Sequence, residues 1–209
     1  NSRYEKAPTA KMTLRHLLAH RAGFTHEAPL GSNFDDRPHA FQEHIRSISD
    51  TWLRYPVGYR YSYSNLGIDL AGYIVEKAYG TPFHRVVKEK ILDPLGMASS
   101  TLDIDAILKS DHRAAGHAFP IRQVDGGIPV IVPMIPAGGV YTNIRDMAEY
   151  LRFHVNKGRV EGRQVLKPEL IEEMHAVAFP ERHQSSGYGL CLERAAVGDT
   201  YVLFHGGGG

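Results

Sequence analysis

Tyr59-Arg60-Tyr61-Ser62-Tyr63-Ser64-Asn65-Leu66-Gly67 is the stretch on which the reading of this chain turns. Tyrosines at every second position have the period of a strand. They run into Ser64-Asn65, and an apolar pattern of helical spacing begins at Leu66. A phenol, a hydroxyl and a carboxamide thus stand side by side at a helix N-terminus, where backbone N–H groups lack intrahelical partners. Taken alone, the stretch reads as a cap. Asn65 is a preferred N-cap type, and the tyrosines would form one apolar strand face.

Bulk properties narrow the rest. The chain has 209 residues, 43% hydrophobic and 22% charged, which suits one soluble globular domain with a sizeable core. A net charge of +1 without a Lys/Arg block excludes electrostatic attraction to nucleic acid or anionic membrane as the basis of function. The single Cys191 excludes an internal disulfide and a multi-cysteine metal site. The long uncharged run Gly126–Ile144 contains Pro129, Pro133 and Pro136, which would break a membrane-spanning helix. No signal-peptide pattern opens the chain. Position 1 is not Met and the chain stops within a glycine run, so the sequence reads as a piece of a longer protein, cut at both ends.

Helices are expected over Met12–Gly23, Ala40–Leu53 and Asn65–Tyr79, with Gly23 and Gly80 as the first and last terminators. Further helices are expected after Thr81-Pro82, over Asp103–Ser110, from Thr142 or Asn143 to Gly158, and from Pro168 to about Ala176. Gly67 and Gly72 would let neighbours approach the third helix closely. His117–Pro136 reads as a long Pro/Gly segment with an extended core at Ile128–Val132, and loops of that length are often functional. Tyr188, Leu190 and Leu192 alternate as a strand, Ala195–Asp199 turns, and Tyr201–His205 returns antiparallel. His16 and His20 have metal-ligand spacing on a helix, but no nearby carboxylate or Cys completes a set, so no metal is expected.

The order of landmarks is more specific than any one of them. Thr13-Leu14-Arg15-His16-Leu17-Leu18-Ala19-His20-Arg21-Ala22-Gly23 is followed by Tyr61-Ser62-Tyr63-Ser64-Asn65-Leu66-Gly67 and Pro94-Leu95-Gly96-Met97. Then come Pro136-Ala137-Gly138-Gly139, Arg145-Asp146-Met147, Tyr188-Gly189-Leu190 and His205-Gly206-Gly207. This series resembles the serine hydrolases of the class C β-lactamase and penicillin-binding-protein superfamily, in its esterase and D-aminopeptidase-like branch. The resemblance runs along the whole chain. It implies an α+β, β-lactamase/transpeptidase-like fold, of which residues 1–209 would hold mainly the helical region plus a C-terminal β-hairpin.

The resemblance also assigns parts. Tyr63-Ser64-Asn65 matches the Tyr-x-Asn element and His205-Gly206-Gly207 the Lys/His-x-Gly element. The remaining element, Ser-x-x-Lys, is absent: no Ser or Thr here has Lys three positions on. In the family it precedes the stretch at which this chain begins, so the nucleophile would lie outside the chain, and residues 1–209 alone would be inactive. Tyr63 and Asn65 would be catalytic. A free phenol has a pKa near ~10, and the Lys ammonium of the missing motif would lower it so that Tyr63 could take the serine proton. Asn65, which can donate and accept, would hold that Lys or the substrate amide. Gly139, His205, Gly206 and Gly207 would line the substrate site. No metal or organic cofactor is implied. Substrates would be small esters, amides or D-amino-acid peptides, and the resemblance is compatible with an extracytoplasmic location.

Two other readings stand beside this one. A non-catalytic binding or sensing domain could keep the fold without the serine. Alternatively, Tyr201-Val202-Leu203-Phe204-His205-Gly206-Gly207-Gly208 resembles the His-Gly-Gly-Gly oxyanion motif of α/β-hydrolase esterases, though that fold would also need Gly-x-Ser-x-Gly, which is not visible here.

Overall fold

The computed structural model describes residues 11–33, 35, 37–114, 117–118, 122–123, 133–180 and 185–207. Helix α1 (Leu14–Leu18) starts at Thr13, whose hydroxyl accepts from the His16 N–H while the His16 ring accepts from the Thr13 N–H. This reciprocal box satisfies two orphan donors. It also commits His16 to capping. The helix is shorter than the sequence predicts, and Gly23 does not end it. Gly23 instead lies at φ 82°, where an added Cβ would sit 2.1 Å from the Tyr55 carbonyl oxygen. That residue closes a loop against Tyr55 rather than a helix.

Helix α2 (Phe41–Ser47) passes into a 3-10 turn at Ile48–Asp50. Helix α3 (Asn65–Tyr79) has the predicted bounds. Its cap is Ser64, one residue before the predicted Asn65: the Ser64 hydroxyl accepts from Gly67 N–H and donates to Thr25 C=O. Helix α4 (Phe83–Val87) continues through a wider turn at Lys88–Leu92, and α5 (Ile104–Leu108) is capped by Asp103. Strands β1 (His117–Ala118) and β2 (Arg122–Gln123) pair antiparallel. The extended segment expected at Ile128–Val132 lies outside the described residues.

A single turn, α6 (Ile135–Gly138), precedes α7 (Ile144–Val155), whose N-cap is Asn143. A hairpin the sequence reading missed follows, β3 (Arg159–Val160) and β4 (Arg163–Gln164), and then α8 (Pro168–His175). The last sheet has three strands in the order β5 (Gly187–Tyr188), β6 (Glu193–Val197) and β7 (Thr200–Phe204), all antiparallel. The expected strand through Leu192 is broken because Cys191 takes φ 60°, with its N–H donating to Leu18 C=O. The turn is accordingly at Gly198-Asp199, later than expected.

Two apolar clusters hold these elements. Leu17, Phe24, Leu53, Val57, Leu66 and Ala71 join α1 to α3. Leu92, Leu95, Met97, Leu102, Phe153 and Ile171 join the region after α4 to α7 and α8. Between them, the Pro136 ring of α6 lies against Gly72 of α3. A Cβ on Gly72 would come within 2.3 Å of that ring. The glycine therefore sets how closely the Gly138-Gly139 segment approaches the start of α3. Among the described residues no helix is long and apolar enough to cross a membrane.

Candidate active site

The tyrosine stretch runs beside residues 20–26. Ser62 N–H donates to His20 C=O, and Asn65 N–H to His26 C=O. With Ser64 spent on the cap, the Tyr63 and Asn65 side chains are left for other work. Tyr63, Asn65, His26, Asn33, Met134, Gly138, Gly139, Tyr141, His205, Gly206 and Gly207 line one cavity of about 1000 Å³. Thus the six residues singled out in the sequence, Tyr63, Asn65, Gly139, His205, Gly206 and Gly207, border the same space, although they come from α3, the turn after α6 and the end of β7.

The Tyr63 ring is flanked by three imidazoles, with centroids 4.2 Å from His20, 5.4 Å from His26 and 6.0 Å from His205. Burial first, then the neighbouring Cys191, Glu27, Asp69 and Glu193, push its phenol above the ordinary tyrosine value. The lowering expected from the family resemblance belongs to a Lys outside these residues. The groups around Tyr63 in these residues favour the protonated phenol, and a cation brought to it would have to work against them.

Asn65 is oriented by a residue the sequence reading missed. Its Nδ2 donates to Glu27 Oε1 at 2.8 Å, and His26 Nδ1 lies 2.9 Å from the same oxygen. An acceptor-only carboxylate at that position fixes which end of the carboxamide is the amine.

The glycine wall is tied down by a second overlooked group. Asp69, one turn after Asn65 and fully buried, accepts from Ala137 N–H at 3.0 Å and meets His44 Nε2 at 3.1 Å. Since His44 Nδ1 faces the Leu30 carbonyl at 2.7 Å, that nitrogen carries a proton. Burial works against charge on His44, but the hydrogen bond and charge of Asp69 turn the net shift upward. Burial also raises Asp69. The pair consequently holds one proton between Nε2 and Oδ2 and titrates as a unit.

His20 organises the third wall. It is 1% exposed and adopts φ 53°. Its Nδ1 accepts from Ser64 N–H at 3.1 Å, and its Nε2 lies 3.0 Å from the Tyr188 hydroxyl. The same hydroxyl lies 3.0 Å from His205 Nε2. Burial, with the nearby His205 and His26, pushes His20 down to about 4. The His16 and His20 of the considered metal pair are therefore engaged separately, one in the α1 cap and one here.

Comparison with known proteins bears on the family and the fold. A family model described as Beta-lactamase matches residues 3–209. The chain is 32% identical over 148 residues to an unguisins hydrolase of Aspergillus campestris, covering 68% of this chain and 28% of that protein. It is 34% identical over 155 residues to Beta-lactamase-like protein 2 of Dictyostelium discoideum, covering 69% of this chain and 27% of that one. The chain thus spans little more than a quarter of the length of these relatives. Among solved structures, the octameric penicillin-binding protein homologue from Pyrococcus abyssi superposes with a TM-score of 0.72 at 26% identity, over 88% of this chain and 43% of that one.

Proposed function

Because the chain belongs to the beta-lactamase family, we propose that it carries the proton-transfer and substrate-binding parts of a serine hydrolase site. The α/β-hydrolase reading of His205–Gly208 has no place in that family. The observation that supports the proposal best is the convergence of Tyr63, Asn65, Gly139 and His205-Gly206-Gly207 on one cavity. Nothing in the local sequence requires three separate segments to meet there.

The reaction is acyl transfer from a small ester, amide or D-amino-acid peptide. The nucleophile is a serine of a Ser-x-x-Lys segment outside these residues, since no such segment occurs within them. The Lys ammonium next to Tyr63 offsets the burial and the acids that raise its phenol, and Tyr63 takes the serine proton. The serine oxygen bonds to the acyl carbon, the leaving-group bond breaks, and Tyr63 returns the proton to the departing atom. Water then repeats the sequence on the acyl-serine. Asn65, held by Glu27, orients the substrate amide or the Lys.

The test is covalent labelling of the complete protein with a fluorophosphonate, followed by peptide mapping. The labelled serine is expected outside residues 1–209. Tyr63→Phe is expected to slow labelling by about 10²-fold or more, the scale of a lost general base. Stoichiometric labelling of a serine within residues 1–209, labelling of the Phe variant at the wild-type rate, or no labelling at all would overturn the proposal. The last result favours a binding or sensing domain.

A further inference from the structure

The hydrogen bonds around His20 have only one consistent direction. A backbone N–H can only donate, so the Ser64 amide requires a lone pair on His20 Nδ1. A neutral His20 then carries its proton on Nε2, 3.0 Å from the Tyr188 oxygen, and donates it there. Tyr188 in turn has His205 Nε2 at 3.0 Å, and its own proton goes to that nitrogen. His205 Nε2 is thereby a lone pair. The remaining proton of a neutral His205 sits on Nδ1, which lies 2.6 Å from the Gly206 carbonyl and donates to it. Each donor in the series meets an acceptor. Reversing the Ser64 or Tyr188 link of His20 would set two N–H groups against each other or leave the part-buried Tyr188–His20 contact without a proton. Reversing the His205 links would strand the Tyr188 hydroxyl proton and set an Nδ1 lone pair against the Gly206 carbonyl.

We infer that His20 and Tyr188 form a directional relay from the Ser64 amide that fixes His205 in its Nδ1–H tautomer, making Tyr188 a positioning and specificity-determining residue for the cavity wall; this rests on the reading of His205 as a substrate-facing group. The downward shift of His20 and the upward shift of the Tyr188 phenol, both led by burial, agree with a neutral imidazole and a protonated phenol in these links.

The chemical consequence is selective. Both His205 nitrogens are occupied within the chain, Nε2 by Tyr188 and Nδ1 by Gly206. The ring therefore offers the cavity its carbon edge and face, and no N–H. A carboxylate at this wall gains neither a hydrogen bond nor a fixed charge from His205. An uncharged acyl or alkyl group meets a surface that suits it. The relay thus tunes this wall for neutral substrate groups, and it does so through two residues, His20 and Tyr188, that are remote from each other in the chain.

The experiment reads tautomers directly, independently of turnover. The complete protein, labelled with ¹⁵N-histidine, is studied by long-range ¹H–¹⁵N correlation at pH 7.5, with His20 and His205 assigned by single substitution. His205 is expected to show a pyrrole-type Nδ1 and a pyridine-type Nε2, and His20 the reverse. In Tyr188→Phe the constraint on Nε2 is gone and only the exposed Gly206 contact still favours Nδ1–H, so His205 is expected to gain a substantial Nε2–H population, the form preferred by a free side chain in water. A wild-type His205 protonated on Nε2, or an unchanged tautomer in a folded Phe variant, would overturn the relay. The wild-type spectrum decides the matter even if the variant fails to fold. An inactive wild-type protein with the expected spectrum would sink the hydrolase reading alone, and an active one with the opposite spectrum would sink the relay alone.

Discussion

Acidification should weaken this fold through His20 in a way that one substitution removes. The imidazole is 1% exposed and is pushed from 6.5 down to about 4, by burial first and then by His205 and His26. Its folded value lies below its unfolded one. Between the two, the unfolded chain binds a proton that the folded chain does not. Stability from this group is therefore fully present above about pH 6.5 and declines as pH falls towards 4. A displacement of two to three units at ~1.4 kcal/mol per unit gives about 3 kcal/mol between pH 7.5 and pH 4. His154, also pushed down to about 4 by burial and His175, adds a loss of the same sign. A single melt cannot separate the two. The comparison is between wild type and His20→Asn, because Asn tolerates the left-handed backbone at this position and its carbonyl oxygen can accept from Ser64 N–H, yet it does not titrate. The variant is less stable at every pH, but its urea-derived unfolding free energy should fall by about 3 kcal/mol less than wild type over this range. The His154 contribution is common to both and cancels. Parallel decline of the two proteins would refute the assignment of a neutral, buried His20.

Other expectations follow from the same geometry. Under the proposed function, the complete protein should hydrolyse a short-chain p-nitrophenyl ester with a higher kcat/KM than a chromogenic cephalosporin at pH 7.5, because a neutral His205 gives a carboxylate no fixed charge; a markedly higher value for the cephalosporin would sink this expectation. Glu27→Ala should lower kcat by roughly 10-fold or more, the scale of one hydrogen bond to a charged group, with Glu27→Gln recovering much of it because its amide oxygen can still accept from Asn65; equal activity of Ala and Gln variants would remove Glu27 from the positioning of Asn65. Gly72→Ala gains about 1 kcal/mol of helix propensity but drives a methyl group into the stiff Pro136 ring, a cost of about 1–3 kcal/mol. The net effect should be a lower melting temperature, and a raised one would show that α6 can slide off α3.

Sequence pattern reached the elements that are governed by local rules. The bounds of α3 were legible because apolar spacing, a polar cap and a terminal Gly80 agree with one another. The cap itself was misplaced by one residue. Ser64 wins that role because its hydroxyl also reaches Thr25 C=O, a tertiary contact that no local preference encodes. The strand after Tyr188 was misread for a similar reason: Cys191 leaves the extended conformation to bond Leu18, far away in the chain. Glu27, His20 and the His44–Asp69 pair were missed as site components because each acts across 25 or more residues. One signal was present. Asp69 is a lone acid between Leu66 and Leu70 on the buried side of α3, and a buried carboxylate in such a stripe requires partners.

Those same groups explain how a cavity can be assembled from three remote segments with little sheet among the described residues to brace it. Apolar packing sets the spacing of α1, α3 and α6, but it is non-directional and does not aim a carboxamide or an imidazole. Each wall has its own polar tie instead. Glu27 aims Asn65, Asp69 anchors the glycine turn through Ala137, and His20 with Tyr188 sets His205. All three ties start within or beside the stretch from Tyr63 to Asp69, so the helix start serves as their common origin. An unmade buried hydrogen bond costs about 1–3 kcal/mol, whereas a made one returns only about 1. The ties therefore contribute modestly to stability while penalising every misaligned arrangement of the walls. Because they reach different segments, removing one should loosen a single wall and leave the other two in register, which is the behaviour expected of a site whose reacting groups must be set independently around one substrate.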